Sequence, residues 1–366
     1  MLVATGALPA DDATALARRV VPILLFVVGI TIVTELAAEA GVFDVVSGWM
    51  ARLGRGRTLA LWGLVVALAV LSTAFLSLDT TAVLVTPVVV TLALRAGLSP
   101  IPFAMATVWL ANTASLLLPV SNLTNLLAAS RLDRDALGFL ALAGLPALVG
   151  VVLPVVVLTV RYRRALGGRF ALPAREPAGD RPLLVVAGVV VAAMLPLLVI
   201  GIPVEYPALA GAVVLVVVFV IRRRGALRWG MIPWFPVAVA GGLFVVVETL
   251  HARGVTGPLV ASVSGGDGLG DLLRLSATGA LSANGIDNLP AYLVLEPAAS
   301  DPARLVALLI GVNLGPLVTP WASLATLLWH ERLVGLGVRV SWPRFALAGL
   351  GLAVVLVPLA TLAISA

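Results

Sequence analysis

Apolar runs long enough to cross a lipid bilayer recur along most of this chain. A transmembrane helix needs about 20 predominantly apolar residues, a length met or approached by the stretches 183–201, 206–221, 231–250 and 345–364. These stretches are apolar on every face, whereas a helix on the surface of a soluble protein has one polar face. Only 11% of the 366 residues are charged, against about 25% in soluble domains. The sequence therefore predicts an all-α polytopic membrane protein.

Several residue types are scarce, and their scarcity excludes some chemistry. The chain has no cysteine, so disulfides and thiolate metal sites are excluded. It has two histidines, His251 and His330, so a multi-histidine metal site is not expected. The net charge of +6 comes entirely from arginine, because lysine is absent. Arginines in loops that face an anionic membrane surface explain this charge better than nucleic-acid binding does. We expect the bilayer as a partner, and no metal, cofactor or nucleic acid.

The arginines cluster in three loops, at 52–57, 161–181 and 222–228. Basic loops remain on the cytoplasmic side of a membrane, so the sequence predicts a plasma-membrane protein with these loops inside the cell and both termini outside. Residues 1–19 are interpreted as a polar N-terminal lead, since acidic residues and two arginines precede the first apolar run, an order unlike that of a signal peptide.

The central basic loop, 161–182, separates two similar parts, 20–160 and 183–366. Aligning 112–127 with 313–328 matches six of sixteen positions, namely Asn112/Asn313, Leu116/Leu317, Pro119/Pro320, Leu123/Leu324, Leu126/Leu327 and Leu127/Leu328. Stretches 34–46 and 247–260 also occupy matching places upstream. Each part holds an odd number of crossings, so we expect two inverted repeats. Inverted repeats with interrupted helices are typical of secondary transporters, whose site lies where the repeats meet.

Polar residues interrupt the apolar pattern four times. Two interruptions, near 77–81 and 282–288, are predicted to be the tips of re-entrant hairpins; the other two break transmembrane helices at 101–128 and 302–330. Irregular backbone at membrane depth must be buried or line a cavity, so the four should converge on one polar pocket. The candidate substrate- or ion-binding residues are Ser77, Asp79, Thr80, Asn112, Ser121, Asn122, Ser282, Asn284, Asp287, Asn288, Asn313, Thr319 and Ser323.

Among these candidates, the ionisable residues carry the strongest functional interpretation. Asp79 and Asp287 are candidates for proton or ion coupling, because a carboxyl group inside a membrane is unfavourable unless function requires it. The structural alternative is that each aspartate caps the second arm of its hairpin. Glu35 and Glu248, at equivalent repeat positions near helix ends, are weaker coupling candidates. Serine, threonine and asparagine in such helices often only bond neighbouring backbone.

The four interruptions resemble those of the arsenical efflux permeases, within an ion transporter superfamily that also holds divalent-anion:sodium symporters and a type of Na+/H+ antiporter. The carrying motifs are LDTTAVLVTPVVV (78–90), ANTASLLLPVSNLTNLLA (111–128), DNLPAYLVL (287–295) and GVNLGPLVTPWASLATLLW (311–329). The similarity extends from about Pro22 to Ser365. It implies a scaffold domain, an elevator-type transport domain, and export of arsenite or antimonite in exchange for protons. A soluble ATPase and a second copy of the chain are the protein partners that it allows.

The chain departs from the permease pattern at the same interruptions. Permeases typically carry aspartate where this chain has Asn112 and Asn313, asparagine at the place of Asp287, and lysine at the place of Leu317. At the first tip, permeases typically carry the pair Asn-Asp, and this chain carries Leu78-Asp79. Their additional N-terminal helix pair is not represented. These differences bear on the substrate and the coupling ion rather than on the fold.

The residue chemistry ranks the functions that remain open. No arginine falls within the polar stretches 77–81, 112–125, 282–290 and 313–323, so two carboxylates disfavour a dianion unless sodium binds too. We therefore rank proton-coupled export of arsenite, antimonite or a similar small inorganic solute first, Na+/H+ exchange second, and sodium-coupled carboxylate or sulfate symport third. A non-transporting receptor or assembly subunit is a remote alternative. No nucleophile–base pair, HExxH or phosphate loop suggests an enzyme.

Overall fold

The computed structural model describes residues 10–171, 180–266 and 268–364, with side chains from Thr14 onward. Residues 1–9 of the predicted polar lead and 172–179 of the central basic loop lie outside the described residues. The α-helices are α1 Ala10–Glu39, α2 Val42–Leu53, α3 Thr58–Leu76, α4 Leu78–Thr80, α5 Thr86–Arg95, α6 Ile101–Thr113, α7 Leu123–Leu132, α8 Ala136–Arg161, α9 Arg163–Leu166, α10 Arg181–Leu197, α11 Glu205–Arg222, α12 Trp234–Ala252, α13 Gly257–Val263, α14 Leu269–Ile286, α15 Asn288–Leu295, α16 Pro302–Leu314, α17 Leu324–Gly335 and α18 Trp342–Leu362.

Among the described residues, seven helices are long and apolar enough to cross a membrane. The π-helical segment Thr81–Val85 joins α4 to α5, so that Leu78–Arg95 forms one of these seven. The apolar segments Ile101–Leu117, Arg181–Leu197 and Pro302–Leu314 are shorter. The prediction of an all-helical protein with several spans is confirmed, and α1 begins at Ala10, within the stretch interpreted as a polar lead.

Each predicted hairpin turns on a single residue with an unusual backbone conformation. Ser77 joins α3 to α4 with φ 110° and ψ 160°, and Asp287 joins α14 to α15 with φ 83° and ψ 155°. A non-glycine residue in this region is strained by about 1–3 kcal/mol. Both residues also cap the helix that follows, because Ser77 accepts a hydrogen bond from the Thr80 N–H and Asp287 from the Leu289 N–H.

The two predicted helix breaks share one backbone pattern. After α6, a 3-10 turn at Pro119–Ser121 and the extended residue Asn122 lead into α7; after α16, Pro320–Ala322 and the extended residue Ser323 lead into α17. Proline starts each 3-10 turn, where its missing N–H leaves no helical bond unmade. Matching elements are 201 residues apart (313 minus 112), the spacing found in the sequence alignment.

The described helices pack into two groups. In one, α1 runs along α11, where Gly29 leaves room for the backbone at Ala208, and also contacts α10 and α12. The other holds the hairpins, the broken helices, α8 and α18. In that group α14 lies against α16 with Gly279 facing Gly311, a close approach that small residues permit between membrane helices.

The three predicted basic loops meet at one end of the bundle. The Thr58 N–H donates to the Gly168 carbonyl (3.1 Å) and links loop 52–57 to the start of the central loop. At the same end Arg222 donates to Asp180 at 2.9 Å, and this hydrogen bond lowers the pKa of the Asp180 carboxyl. Arg223 pairs with Glu39 at the end of α1 (3.1 Å). We call this the basic end.

Candidate functional site

A cavity of about 720 Å³ lies between the two helix groups. Helices α1 and α12 form one wall, and residues from all four interruptions form the other. Most of the lining is apolar, so the polar groups stand out against it. The sequence-predicted residues that line this cavity are Ser77, Asp79, Thr80, Asn122, Asp287, Asn288 and Ser323.

The other predicted site residues do not line the cavity. Asn112, Ser121 and Asn313 are buried behind its wall, and Ser282, Asn284 and Thr319 also lie away from it. Several of these hold the interruptions together instead. The Ser121 hydroxyl donates to the Ala74 carbonyl (2.9 Å) and ties the first break to the first hairpin.

Asn284 joins the second hairpin to the second break with a set of hydrogen bonds. Its side-chain amide donates to the Gly315 carbonyl (2.8 Å), and its Oδ1 accepts from the N–H groups of Val318 and Thr319 (both 3.1 Å). Its backbone carbonyl accepts from the Trp321 indole (2.9 Å). With its polar groups engaged in this way, Asn284 supports the second break and is not available to a solute.

The two cavity-facing aspartates have different surroundings. Asp79 is in the first turn of the helix after the tip, and its carboxylate makes no hydrogen bond within the described part of the chain. Asp287 is the tip residue itself and caps α15. Both aspartates line the same cavity. Since Ser77, not Asp79, matches Asp287 in backbone conformation, the two aspartates occupy non-equivalent positions at the two tips.

Behind the tips, buried amides link the two halves of the chain. Asn313 Oδ1 accepts hydrogen bonds from Asn122 Nδ2 and the Thr124 hydroxyl (both 2.9 Å), and Asn313 Nδ2 donates to Asn125 Oδ1 (2.7 Å). Asn125 in turn donates to the Leu118 carbonyl in the first break (3.0 Å). A carboxylate at position 313 would have no N–H to donate to Asn125, so this network requires the amide.

The matching network around Asn112 is incomplete. Asn112 Nδ2 donates to the Val108 carbonyl (3.0 Å) and lies 3.5 Å from the Thr326 hydroxyl. Asn112 Oδ1 and the Ser323 hydroxyl are both buried, with no hydrogen-bond partner among the described residues. Ser323 occupies the place that Asn122 has in the other half, and its shorter side chain leaves the gap. Buried polar groups without partners are rare, so these two distinguish this network from the one around Asn313.

The cavity reaches the basic end of the bundle. Gly230 and Met231, just after the third basic loop, line it there, together with Glu35 of α1 and Arg332 of α17. Glu35 was a predicted coupling candidate, whereas Arg332 was missed. Its sequence signal is the spacing of 201 residues (332 minus 131) from Arg131, the same as between Asn112 and Asn313.

The opposite end is closed by charged side chains that the sequence did not single out. Arg19 of α1 forms an ion pair with Glu296, which follows the second hairpin. Arg131 Nη1 donates to the Glu296 backbone carbonyl (2.6 Å), and the Tyr292 hydroxyl donates to the Glu296 carboxylate (3.0 Å). A second hollow here is also lined by Glu248 and His251. We call the cluster of Arg19, Arg131 and Glu296 the outer latch, and this side of the molecule the latch end.

A helical bundle with paired hairpin tips, broken helices and a cavity between two packed groups defines a secondary transporter. The chain belongs to the citrate transporter (CitMHS) family, whose model matches residues 1–326. The predicted resemblance to this superfamily is thereby confirmed.

Curated relatives extend over most of the chain. The arsenical pump membrane protein of Escherichia coli strain K12 is 31% identical over 371 residues, covering 92% of this chain and 85% of that protein. The protein of the same name from Yersinia enterocolitica is 31% identical with the same coverages. An uncharacterized transporter of Mycobacterium tuberculosis is 29% identical, over 83% of this chain and 72% of its own.

A solved structure shares the fold. The YdaH transporter of Alcanivorax borkumensis superposes with a TM-score of 0.56 and 16% identity, covering 97% of this chain and 89% of that one. The two proteins therefore share their fold over nearly the whole of this chain. At this identity it carries no information about the solute.

Proposed function

We propose that this transporter exports a small uncharged inorganic oxyacid of the arsenite or antimonite type in exchange for protons. The single observation that carries this proposal is the composition of the cavity wall at the interruptions: two carboxyl groups, hydroxyls and amides, and no arginine. An anion such as citrate would meet Asp79 and Asp287 there without a fixed cation nearby, since Arg332 lies at the mouth. Relatives at 31% identity named as arsenical pump proteins support the same class of solute.

The incomplete network supports a location for the solute. Arsenite at neutral pH is a small molecule with three hydroxyl groups, each a donor and an acceptor of hydrogen bonds. A hydroxyl that enters from the cavity would accept from the Ser323 hydroxyl, which lines it, and donate to Asn112 Oδ1 behind the wall. These are two of the buried polar groups that have no hydrogen-bond partner among the described residues. Without cysteine, the site offers oxygen and amide groups rather than the thiolates that hold soft metal ions.

Proton coupling is assigned to the aspartates at the tips. A proton-coupled cycle needs a group that binds a proton on one side of the membrane and releases it on the other. Asp79 and Asp287 face the cavity, while the amide required at position 313 removes the carboxyl group that permeases of the resembled kind carry there. The two aspartates therefore assume the charge-carrying role in this chain.

The proposed architecture is a pair of inverted repeats, 20–160 and 183–366, in which the group of hairpins moves as an elevator against the group of α1, α10, α11 and α12. Two observations support inversion. Helix α6 starts next to Arg95 at the basic end, whereas α16 starts next to Glu296 at the latch end. Trp329, in the middle of α17, donates to the carbonyl of Ala104, early in α6 (2.9 Å). The basic end is proposed to face the cytoplasm.

The proposal is tested by flux into and out of liposomes that contain the purified protein. We expect an imposed pH gradient to drive arsenite and antimonite against their concentration gradients, and empty liposomes and the Asp79→Asn variant to show only passive leakage. Proton movement coupled to arsenite should be detected with a pH-sensitive dye. Absence of metalloid flux under a gradient contradicts the proposal.

The same liposomes separate the alternatives. Sodium flux coupled to protons, with no response to metalloids, would assign the protein to Na+/H+ exchange, which its oxygen-rich tips also suit. Uptake of citrate or sulfate that requires sodium would assign it to anion symport. In that case Arg332 at the mouth would be the first residue to examine as an anion contact.

A further inference from the structure

Two glutamates hold matching positions on the two helices that wall the cavity. Glu35 lies four residues before the end of α1 (39 minus 35), and Glu248 lies four before the end of α12 (252 minus 248). Each precedes by six residues a glycine with positive φ, Gly41 at 85° and Gly254 at 72°. The sequence match between these stretches is therefore also a match of local structure.

Two arginines hold matching positions on the second halves of the broken helices. Arg131 is the ninth residue of α7, counted from Leu123, and Arg332 is the ninth residue of α17, counted from Leu324. The repeat thus places one glutamate and one arginine at each end of the molecule. Glu35 and Arg332 line the cavity near the basic end, whereas Glu248 and Arg131 line the hollow at the latch end.

The two ends differ in whether their charges are in contact. At the latch end, Glu296 is 7% exposed and bonded by Arg19, Arg131 and Tyr292, so a helix of one packed group is joined to residues of the other. His251 of α12 adds a contact to the Val294 carbonyl (3.3 Å). At the basic end, Glu35 and Arg332 both line the cavity, but within the described chain neither forms an ion pair.

We propose that Glu35 and Arg332 form the inner gate of the transporter, an ion pair that closes the cavity when the outer latch of Arg19, Glu296 and Arg131 opens. This inference rests on the proposed function only in requiring alternating access. Each ion pair can form in only one of two arrangements of the helix groups. An ion pair that forms in one arrangement and not in the other shifts the equilibrium toward the first. The structure then represents the inward-open state, with its outer latch closed.

Charge variants test the gate through transport rate. We expect Glu35→Gln and Arg332→Gln each to slow transport roughly tenfold, and the exchanged pair Glu35→Arg with Arg332→Glu to recover most of that loss. The matched control is Glu39→Gln, one turn later on α1. Glu39 pairs with the solvent-accessible Arg223 at the basic end, and such surface ion pairs contribute little. Transport by this variant should remain within about twofold of the wild type. Wild-type rates in both single variants would overturn the gate.

Disulfide cross-linking measures how readily the two gate positions approach each other, and it needs no solute. Because the chain has no cysteine, Glu35→Cys with Arg332→Cys introduces the only thiols. We expect slow oxidative cross-linking that becomes several times faster when Glu296→Gln releases the outer latch. A protease site inserted within 161–182 separates the halves and reports the bond, since the two thiols lie on either side of it. Failure to cross-link with the latch released contradicts the gate, whereas cross-linking without metalloid flux contradicts only the proposed solute.

Discussion

At the scale of single residues, the two tip aspartates share a charge but not a structural role. Asp79 accepts no hydrogen bond within the described chain, whereas Asp287 also caps α15 and holds a strained backbone. Asparagine preserves the size of either side chain and is itself a good N-cap. Substitution by asparagine therefore removes the titratable proton while leaving the hairpin intact.

We expect Asp79→Asn and Asp287→Asn each to reduce proton-driven transport to the level of empty liposomes. Both variants should keep a monodisperse profile in size-exclusion chromatography and a thermal midpoint near that of the wild type. Transport at the wild-type rate in both would remove the aspartates from the coupling mechanism. A lower thermal midpoint in Asp287→Asn alone would instead show that the second tip needs the carboxylate for its stability.

The incomplete amide network leads to a second prediction at this scale, Ser323→Asn. The longer side chain should donate to Asn112 Oδ1 as Asn122 does to Asn313, raising the free energy of unfolding by about 1 kcal/mol. It should also fill the place assigned to the solute hydroxyl, so arsenite flux should fall and the thermal shift caused by arsenite should disappear.

The control for this substitution is its mirror image, Asn122→Ser, which leaves Asn313 Oδ1 with one donor fewer. It should lower the free energy of unfolding by about 1–3 kcal/mol. If Ser323→Asn transports arsenite as fast as the wild type, the solute does not use Asn112 and Ser323.

At the scale of helices and breaks, the second interruption depends on close packing by α18. A Cβ atom added at Gly349 would collide with the carbonyl of Leu317, in the middle of that break, whereas one added at Gly351, two residues later, would meet open space. Irregular backbone at membrane depth must be covered by protein. Gly349 therefore lets α18 supply that cover.

We expect Gly349→Leu to lower the free energy of unfolding by about 1–3 kcal/mol through overpacking and to impair transport. Gly351→Leu adds the same side chain to the same helix and should change the free energy of unfolding by less than about 0.5 kcal/mol. Thermal unfolding of both variants in one detergent makes the comparison. Equal destabilisation by the two substitutions would mean that the contact with Leu317 does not set the effect, since the change from glycine to leucine favours the helix at both positions.

The elements were largely predictable from the sequence, because the length of an apolar run and the position of a proline are local properties. The spans followed from such signals. The helices turn at Ser77 and Asp287 and are interrupted at Pro119 and Pro320, within the polar stretches that the sequence singles out. The partners of Asn313 did not follow from such signals, since they lie in the other half of the chain. The outer latch was not predictable from local signals either. Its residues Arg19 and Glu296 are 277 residues apart in the sequence, and only the packing of the helices brings them together.

At the scale of the whole molecule, the distribution of charge and the repeat together predict a topology. The basic loops meet at one end, and the latch closes the other. Serines precede both broken helices at matching positions, Ser99 and Ser300, again 201 residues apart (300 minus 99). Both are exposed. Inversion of the repeats requires these two equivalent residues to face opposite sides of the membrane.

Labelling of Ser99→Cys and Ser300→Cys tests this topology in a chain that has no other thiol. A membrane-impermeant maleimide added to intact cells should label Ser300→Cys and leave Ser99→Cys unmodified until the membrane is opened. The substitution is conservative and the two positions match, so a difference in labelling reports sidedness rather than local chemistry. Labelling of both from the same side would contradict the inverted repeat. Labelling of Ser99→Cys alone would retain the inversion and reverse the orientation, because the positive-inside bias would then have been outweighed by another determinant of insertion.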